Sequence, residues 1–220
     1  IILKIHNIFL FFGFNIQKFL SLRFILKYFY QRFIYIKDGG KINKTQIELS
    51  DYHDQAGNAK GHYFHQDLLV ASYIYERNPE THLDIGSRID GFVAHVASFR
   101  NILVMDIRDL KVNIKNIEFI KQDLNKIEKN HYSLYESISC LHALEHFGLG
   151  RYGDPIDPNG HLKGFENLYK LLKKGGTLYI SFPIGANQTF FNSQRTFESN
   201  EILKWCSDRF ELIKFDYVND

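Results

Sequence analysis

HLDIGSRIDGFVAHVASFRNILVMDI, residues 82–107, decides the fold. Leu83-Asp84-Ile85 predicts a short strand, Gly86 opens a turn, and Phe92 to Phe99 has helical spacing. Asn101 to Ile107 is then a near-continuous apolar run, as a parallel strand buried on both faces requires. The same alternation continues downstream. Ile117–Ile120 and Tyr135–Leu141 predict a third and fourth strand, and Gly164–Lys173 a helix closed by Gly175-Gly176. Thr177–Pro183 predicts a fifth strand, Glu198–Ser207 a helix and Phe210–Tyr217 a sixth strand. Upstream, Tyr63–Tyr75 predicts a helix that Asn78-Pro79 ends. Strands and helices alternating at this spacing give an α/β fold with a doubly wound, mostly parallel sheet.

Residues 1–40 are expected to form a basic amphipathic helical arm, residues 41–61 a polar linker, and residues 62–220 the α/β domain. The arm holds six Lys/Arg against one Asp, a net +5 within a chain of net +2, so the remainder is mildly acidic at −3. That distribution does not suit a nucleic-acid binder, whose cations cover one face of the fold. Arg23, Lys27 and Gln31 fall four apart, on one stripe of a helix. The arm contains no run of roughly 18–20 apolar residues long enough to span a bilayer. Two readings of it stand open, packing on the domain or on a second subunit and attachment to a membrane surface. The chain begins without Met and stops after a strand-like run, and the domain is expected to continue beyond its C-terminal end. Two cysteines, Cys140 and Cys206, make no disulfide framework and point to a reducing, cytoplasmic compartment. Both are expected to be inert, packed thiols.

Three acidic residues follow successive strands. Asp84 precedes the Gly86 turn, where glycine lets the backbone approach a ligand closely. A carboxylate there disfavours a pyrophosphate and suits an ammonium group. Asp106, 22 residues later, stands where a carboxylate accepts from ribose hydroxyls. Asp123 ends the next strand, near where an adenine amino group would lie. The dinucleotide pattern G-x-G-x-x-G is absent.

These pieces resemble the class I S-adenosylmethionine-dependent methyltransferases. The matching segments are LDIGS (83–87), VMD (104–106), FIKQDL (119–124), YESISCLHALEH (135–146) and LYKLLKKGGTLYISFP (168–183). HLDIGSRIDGFVAHVASFR (82–100) and SCLHALEHFGLGRYGDPIDPNGHLKG (139–164) are similar, more closely, to a family of uncharacterised methyltransferase-like proteins. The resemblance spans about residues 62–217 and implies a Rossmann-like fold of class I methyltransferase type. It implies S-adenosylmethionine as cofactor, with Asp84, Gly86 and Ser87 around the methionine part, Asp106 on the ribose and Asp123 near the adenine. One departure is Arg88, which stands where the superfamily has a second glycine. It either crowds the methionyl group or pairs with Asp90 and leaves the turn open.

HALEH (142–146) also matches an inverted zincin motif, with two histidines to ligate zinc and Glu145 as base. No metal is assigned, and zinc hydrolysis stands as an alternative, as does a catalytically inactive binding module. The loop FGLGRYGDPIDPNGH (147–161) is expected to lie over the acceptor. His146 and His161 are candidate general bases, and Asp154 and Asp157 are candidates for orienting a polyol or binding a cation, or else serve as turn residues. Arg195 either holds an acidic group of the acceptor or is a surface charge. His62 and His65 either border the cofactor or pack locally. The expected reaction is methyl transfer to oxygen or nitrogen of a small or glycan-like acceptor.

Overall fold

The computed structural model describes residues 16–52, 56–57 and 59–219. The chain divides into two compact units, residues 1–58 and 59–220. The part of the arm before Ile16, with Gly13, lies outside the described residues.

In the first unit, α1 (Ile16–Ser21) passes through one tight turn at Leu22–Phe24 into α2 (Ile25–Lys37). The described part of the expected arm is helical over these two stretches. Its stripe of Arg23, Lys27 and Gln31 is not bare. Tyr52 packs its ring on Phe24 at 5.2 Å, takes Lys27 Nζ at 4.4 Å over its face, and donates its hydroxyl to Gln31.

The second unit opens with α3 (His62–Arg77), which ends at Asn78 in the left-handed conformation. Then come β1 (His82–Ile85), a wide turn at Ile89–Val93 running into α4 (Ala94–Ala97), β2 (Ile102–Asp106), β3 (Ile117–Lys121) and β4 (Tyr135–Leu141). They pair in parallel, with β5 (Leu172–Ser181), in the order β3-β2-β1-β4-β5. From β1 the chain winds to one side and then returns to the other. The order therefore reverses between β1 and β4, and the fold is the doubly wound, Rossmann-like one expected.

Each face of the sheet is covered. Ala71 and Ile74 of α3, with Phe92, Val93 and Val96, pack on Ile102 and Val104. On the other face α5 (Gly160–Leu171) brings Phe165, Leu168 and Leu171 onto Leu83, Ile138 and Cys140, and α6 (Ser199–Cys206) adds Ile202 and Trp205. Each fully buried side chain of this kind contributes about 1.5–3 kcal/mol.

Three expectations are corrected. The helix predicted at Gly164–Lys173 starts at Gly160 and ends at Leu171, and Gly175-Gly176 do not stop it. Tyr135 pairs with Leu172, and Ser137 with Thr177, so residues 173–176 bulge out within β5, where Gly175 takes φ +77°. Residues 210–217 form no strand, and among the described residues none pairs with them in a ladder. A hairpin, β6 (Gln188–Phe190) with β7 (Gln194–Thr196), lies where no strand was predicted. Its strands are only three residues long, too short for an alternating pattern to show.

Candidate functional site

A cavity of about 70 Å³ opens at the carboxyl ends of the central strands. It sits at the reversal of strand order, where doubly wound sheets bind ligands. Gly86 after β1, Asp106 at the end of β2, Asp123 after β3, and His142 and His146 after β4 all reach it. Sequence separations of up to 60 residues close into one site because parallel strands deliver their carboxyl ends together.

Gly86 turns the chain at φ +73°, and a Cβ there would meet the Cβ of Ala143 at 3.1 Å. Only glycine holds that conformation without strain. Asp84 lies beneath the turn, fully buried. Its carboxylate accepts from Ser87 N–H at 3.1 Å, Ser87 Oγ at 2.8 Å and Ser139 Oγ at 2.6 Å. Burial nevertheless raises its pKa to about 6, because those bonds do not replace the lost water. Ser139 Oγ also lies 3.1 Å from His82 Nε2, and His82 Nδ1 lies 2.8 Å from Ser137 Oγ. A buried polar chain thus runs from β4 through β1 to the Gly86 turn. Burial lowers the His82 pKa to about 3, so its ring is neutral.

Arg88 takes the second of its two expected courses. Its guanidinium pairs with Asp90, at 3.0 Å and 2.7 Å, on the exposed surface, and the turn stays open. Asp106 is covered by a residue that sequence reasoning did not single out. Arg108 donates its backbone N–H, Nε and Nη2 to the carboxylate at 2.7, 3.0 and 2.6 Å. Its guanidinium lies 4.6 Å over the ring of Tyr152, which also lines the cavity. Asp123 caps the turn at Leu124–Lys126 by accepting from Asn125 N–H at 2.9 Å. Asn125 Nδ2 donates to Gly160 O, while its Oδ1 is buried with no partner.

The HALEH segment leaves β4 through His142, at φ +48°, and makes a single tight turn at Leu144–His146. A zincin places its two histidines on a continuous helix, which this is not. Among the described residues no group of three or more His, Cys, Asp or Glu is arranged to hold a metal ion. Glu145, 1% exposed, places Oε1 3.1 Å from His142 Nδ1 and 3.7 Å from His146 Nε2, and its Oε2 has no partner. His146 Nδ1 lies 2.7 Å from Ser193 O. Arg151 Nη1 lies 3.4 Å from the same nitrogen, but the nearer carbonyl only accepts, which assigns the proton to Nδ1 and the lone pair to Nε2. Burial lowers the pKa of this imidazole. His142 packs on His62 at 4.7 Å and Tyr63 at 5.5 Å between ring centroids, so His62 borders the site through His142. His65 packs edge-on against Phe64.

Other candidates have different positions. Asp154 lines the cavity, and its carboxylate accepts from the N–H groups of Gly148, Gly150 and Tyr152, clamping the loop after β4. Gly148 packs there so closely that a Cβ would fall 1.9 Å from Asp157 O. Asp157 accepts from Asn159 N–H and pairs with Lys163. His161 is not at the cavity. It packs on Phe197 and Trp205 at 5.5 and 5.7 Å, and burial lowers its pKa to about 4. Arg195 is neither an anion holder nor a surface charge. It is buried and donates to the carbonyls of Glu145, Phe147 and Pro158, tying β7 to the loop. Cys140 is fully buried with its pKa pushed well up by burial, and Cys206 is half-buried.

The family described as "Caenorhabditis protein of unknown function, DUF268" matches residues 93–214, more than half of the chain. The chain belongs to that family. An uncharacterised family is what the resemblance of residues 82–100 and 139–164 implied, and most of the DUF268 match covers the site's β2 to β5 segments. A search of curated proteins matches none of them to this chain. Among solved structures it is similar to the 1,6-didemethyltoxoflavin-N1-methyltransferase of Burkholderia thailandensis, solved with 1,6-didemethyltoxoflavin and S-adenosylhomocysteine. That similarity has 13% identity and a TM-score of 0.49, over 64% of this chain and 65% of that one. It is also similar to a S-adenosylmethionine-dependent methyltransferase from Clostridium acetobutylicum, at 13% identity and TM-score 0.46, over 68% and 80%. An O-methyltransferase family protein from Burkholderia thailandensis matches at 12% and 0.45, over 66% and 50%. The DUF268 chain spans 65% of the length of the first of these.

Proposed function

We propose that this DUF268 chain is an S-adenosylmethionine-dependent methyltransferase acting on oxygen or nitrogen of a small or glycan-like acceptor. The observation that carries the reading is the convergence of Gly86, Asp106, Asp123 and Asn125 on one cavity at the strand-order reversal. The donor set fits that cofactor in kind. Gly86 leaves room for a close ligand, Asp106 supplies acceptors for hydroxyls, and Asp123 an acceptor for an amino group.

S-adenosylmethionine supplies a methyl group already activated by its sulfonium charge. The chain's share is to position the acceptor and take its proton. His146 Nε2 is the base on this reading. Ser193 O fixes its tautomer, and its lowered pKa keeps it neutral at pH 7. Glu145, at 3.7 Å, favours the proton's arrival there.

One observation favours a second reading, a binding module without turnover. Arg108 occupies both oxygens of Asp106, where the hydroxyls of a ribose would otherwise bind. On the enzymatic reading Arg108 and Tyr152 swing aside when the cofactor enters. Calorimetric titration of the full chain with S-adenosylhomocysteine decides between the readings. Binding that weakens about 5- to 150-fold in Asp106→Ala supports the cofactor site, since a hydroxyl bonded to a carboxylate contributes about 1–3 kcal/mol. No binding by the folded wild-type protein overturns it.

A further inference from the structure

The first unit carries an apolar seam that its own polar stripe does not cover. Phe19, Leu22, Leu26, Phe29, Phe33 and Ile36 recur at alternating spacings of three and four, and all six are exposed, Leu26 at 79%. Such spacing holds them within one strip along α1 and α2, whose 22 residues from Ile16 to Lys37 extend for about 33 Å. Tyr52 sits on the Lys27 and Gln31 side, and the seam stays exposed among the described residues.

Charge selects the occupant. Residues 16–37 contain five Lys/Arg and no Asp or Glu. Arg23 and Lys37 flank the seam four residues after Phe19 and Phe33, and Arg32 flanks its other side. A second copy laid along the seam, parallel or antiparallel, brings cations against cations, and like charges at these flanking positions oppose pairing. An anionic lipid surface complements them, and it receives aromatic and aliphatic side chains at its headgroup boundary. No helix among the described residues is long and apolar enough to cross a membrane, so the geometry is that of a helix lying in the interface.

We infer that Ile16–Lys37 binds flat onto an anionic membrane surface through this seam. The test is co-sedimentation of the full chain with vesicles of phosphatidylcholine alone and with about 30% phosphatidylglycerol added. Partitioning is expected to be about tenfold stronger on the anionic vesicles and to be lost in the double variant Leu26→Ser/Phe33→Ser. Both positions are exposed, so the variant keeps the fold, which circular dichroism checks. No sedimentation with either vesicle overturns the inference, as does unchanged binding by the double variant. A concentration-dependent dimer in vesicle-free ultracentrifugation, dissolved by the same variant, also overturns it in favour of self-association.

Discussion

Replacing Asp84 with Asn is expected to stabilise the protein at neutral pH. The wild-type carboxyl is fully buried and titrates at about 6. In the unfolded chain it titrates near 3.9. Between about pH 4 and pH 6 the folded protein therefore holds a proton that the unfolded chain has released. Stability from this group falls as pH rises through that window, and the loss is complete above it. Roughly two pKa units at 1.36 kcal/mol each come to about 3 kcal/mol. Asparagine has the same shape. Its carbonyl accepts from Ser87 N–H, and the hydroxyls of Ser87 and Ser139 rotate to serve the amide. In urea unfolding at pH 7 the variant should be more stable by about 2–3 kcal/mol, and at pH 4 the two proteins should agree. Taking the difference at each pH cancels His161, with its pKa lowered to about 4, whose stability is lost on acidification instead. A variant no more stable at pH 7, or a difference that stays constant from pH 4 to 7, would refute the reasoning.

Arg108→Ala frees both oxygens of Asp106, and binding of S-adenosylhomocysteine should tighten about two- to fivefold, the scale of a partly exposed ion pair. Weaker binding would instead place the guanidinium on the ligand. His146→Asn keeps a donor for Ser193 O but no base at Nε2. Calorimetry should find cofactor binding unchanged, while the single-turnover methylation rate with an identified acceptor falls about 100-fold or more. An unchanged rate removes His146 from the chemistry. Gly86→Ala puts a Cβ at positive φ and 3.1 Å from Ala143, and should cost about 1–2 kcal/mol in urea unfolding. A loss under about 0.5 kcal/mol would show that the turn can relax.

The sheet was legible because burial on both faces leaves a plain mark. YESISCL reads as a strand at the bounds where β4 lies, NILVMDI overruns β2 by one residue at each end, and Gly86 marked the turn between β1 and the helix after it. The errors fall where local pattern and tertiary pairing part. LKKGG reads as a helix end because Gly follows Lys at helix C-termini, yet β4 recruits Leu172 and leaves the glycines to a bulge. ELIKFDYV has the alternation of a strand, but a ladder needs a neighbour, and among the described residues none pairs with it. Propensity names a segment that can be a strand. Pairing decides whether it is one.

The site divides along the same line. Asp106, Asp123, Gly86 and His146 reach one cavity because each follows a parallel strand, and strand ends are visible in sequence. What each carboxylate touches is not, since hydrogen-bond partners are chosen by approach distance. The partner of Asp106 is two residues away, where Arg108 folds back on it. The partners of Arg195 are carbonyls some 50 residues earlier, reached only because β7 crosses the loop after β4. Asp154 lies between two glycines and a proline in an evident loop, and either polyol binding or turn-making was consistent with that context. Three backbone N–H groups converging on its carboxylate make it the clamp of the loop that carries Tyr152. Tyr152 in turn is what Arg108 stacks on while it covers Asp106. The loop's rigidity and the closure of the cavity are therefore one arrangement. A change that loosens Asp154 should reach the cofactor site through Tyr152 and Arg108, without altering any residue proposed to touch the ligand's ribose or adenine.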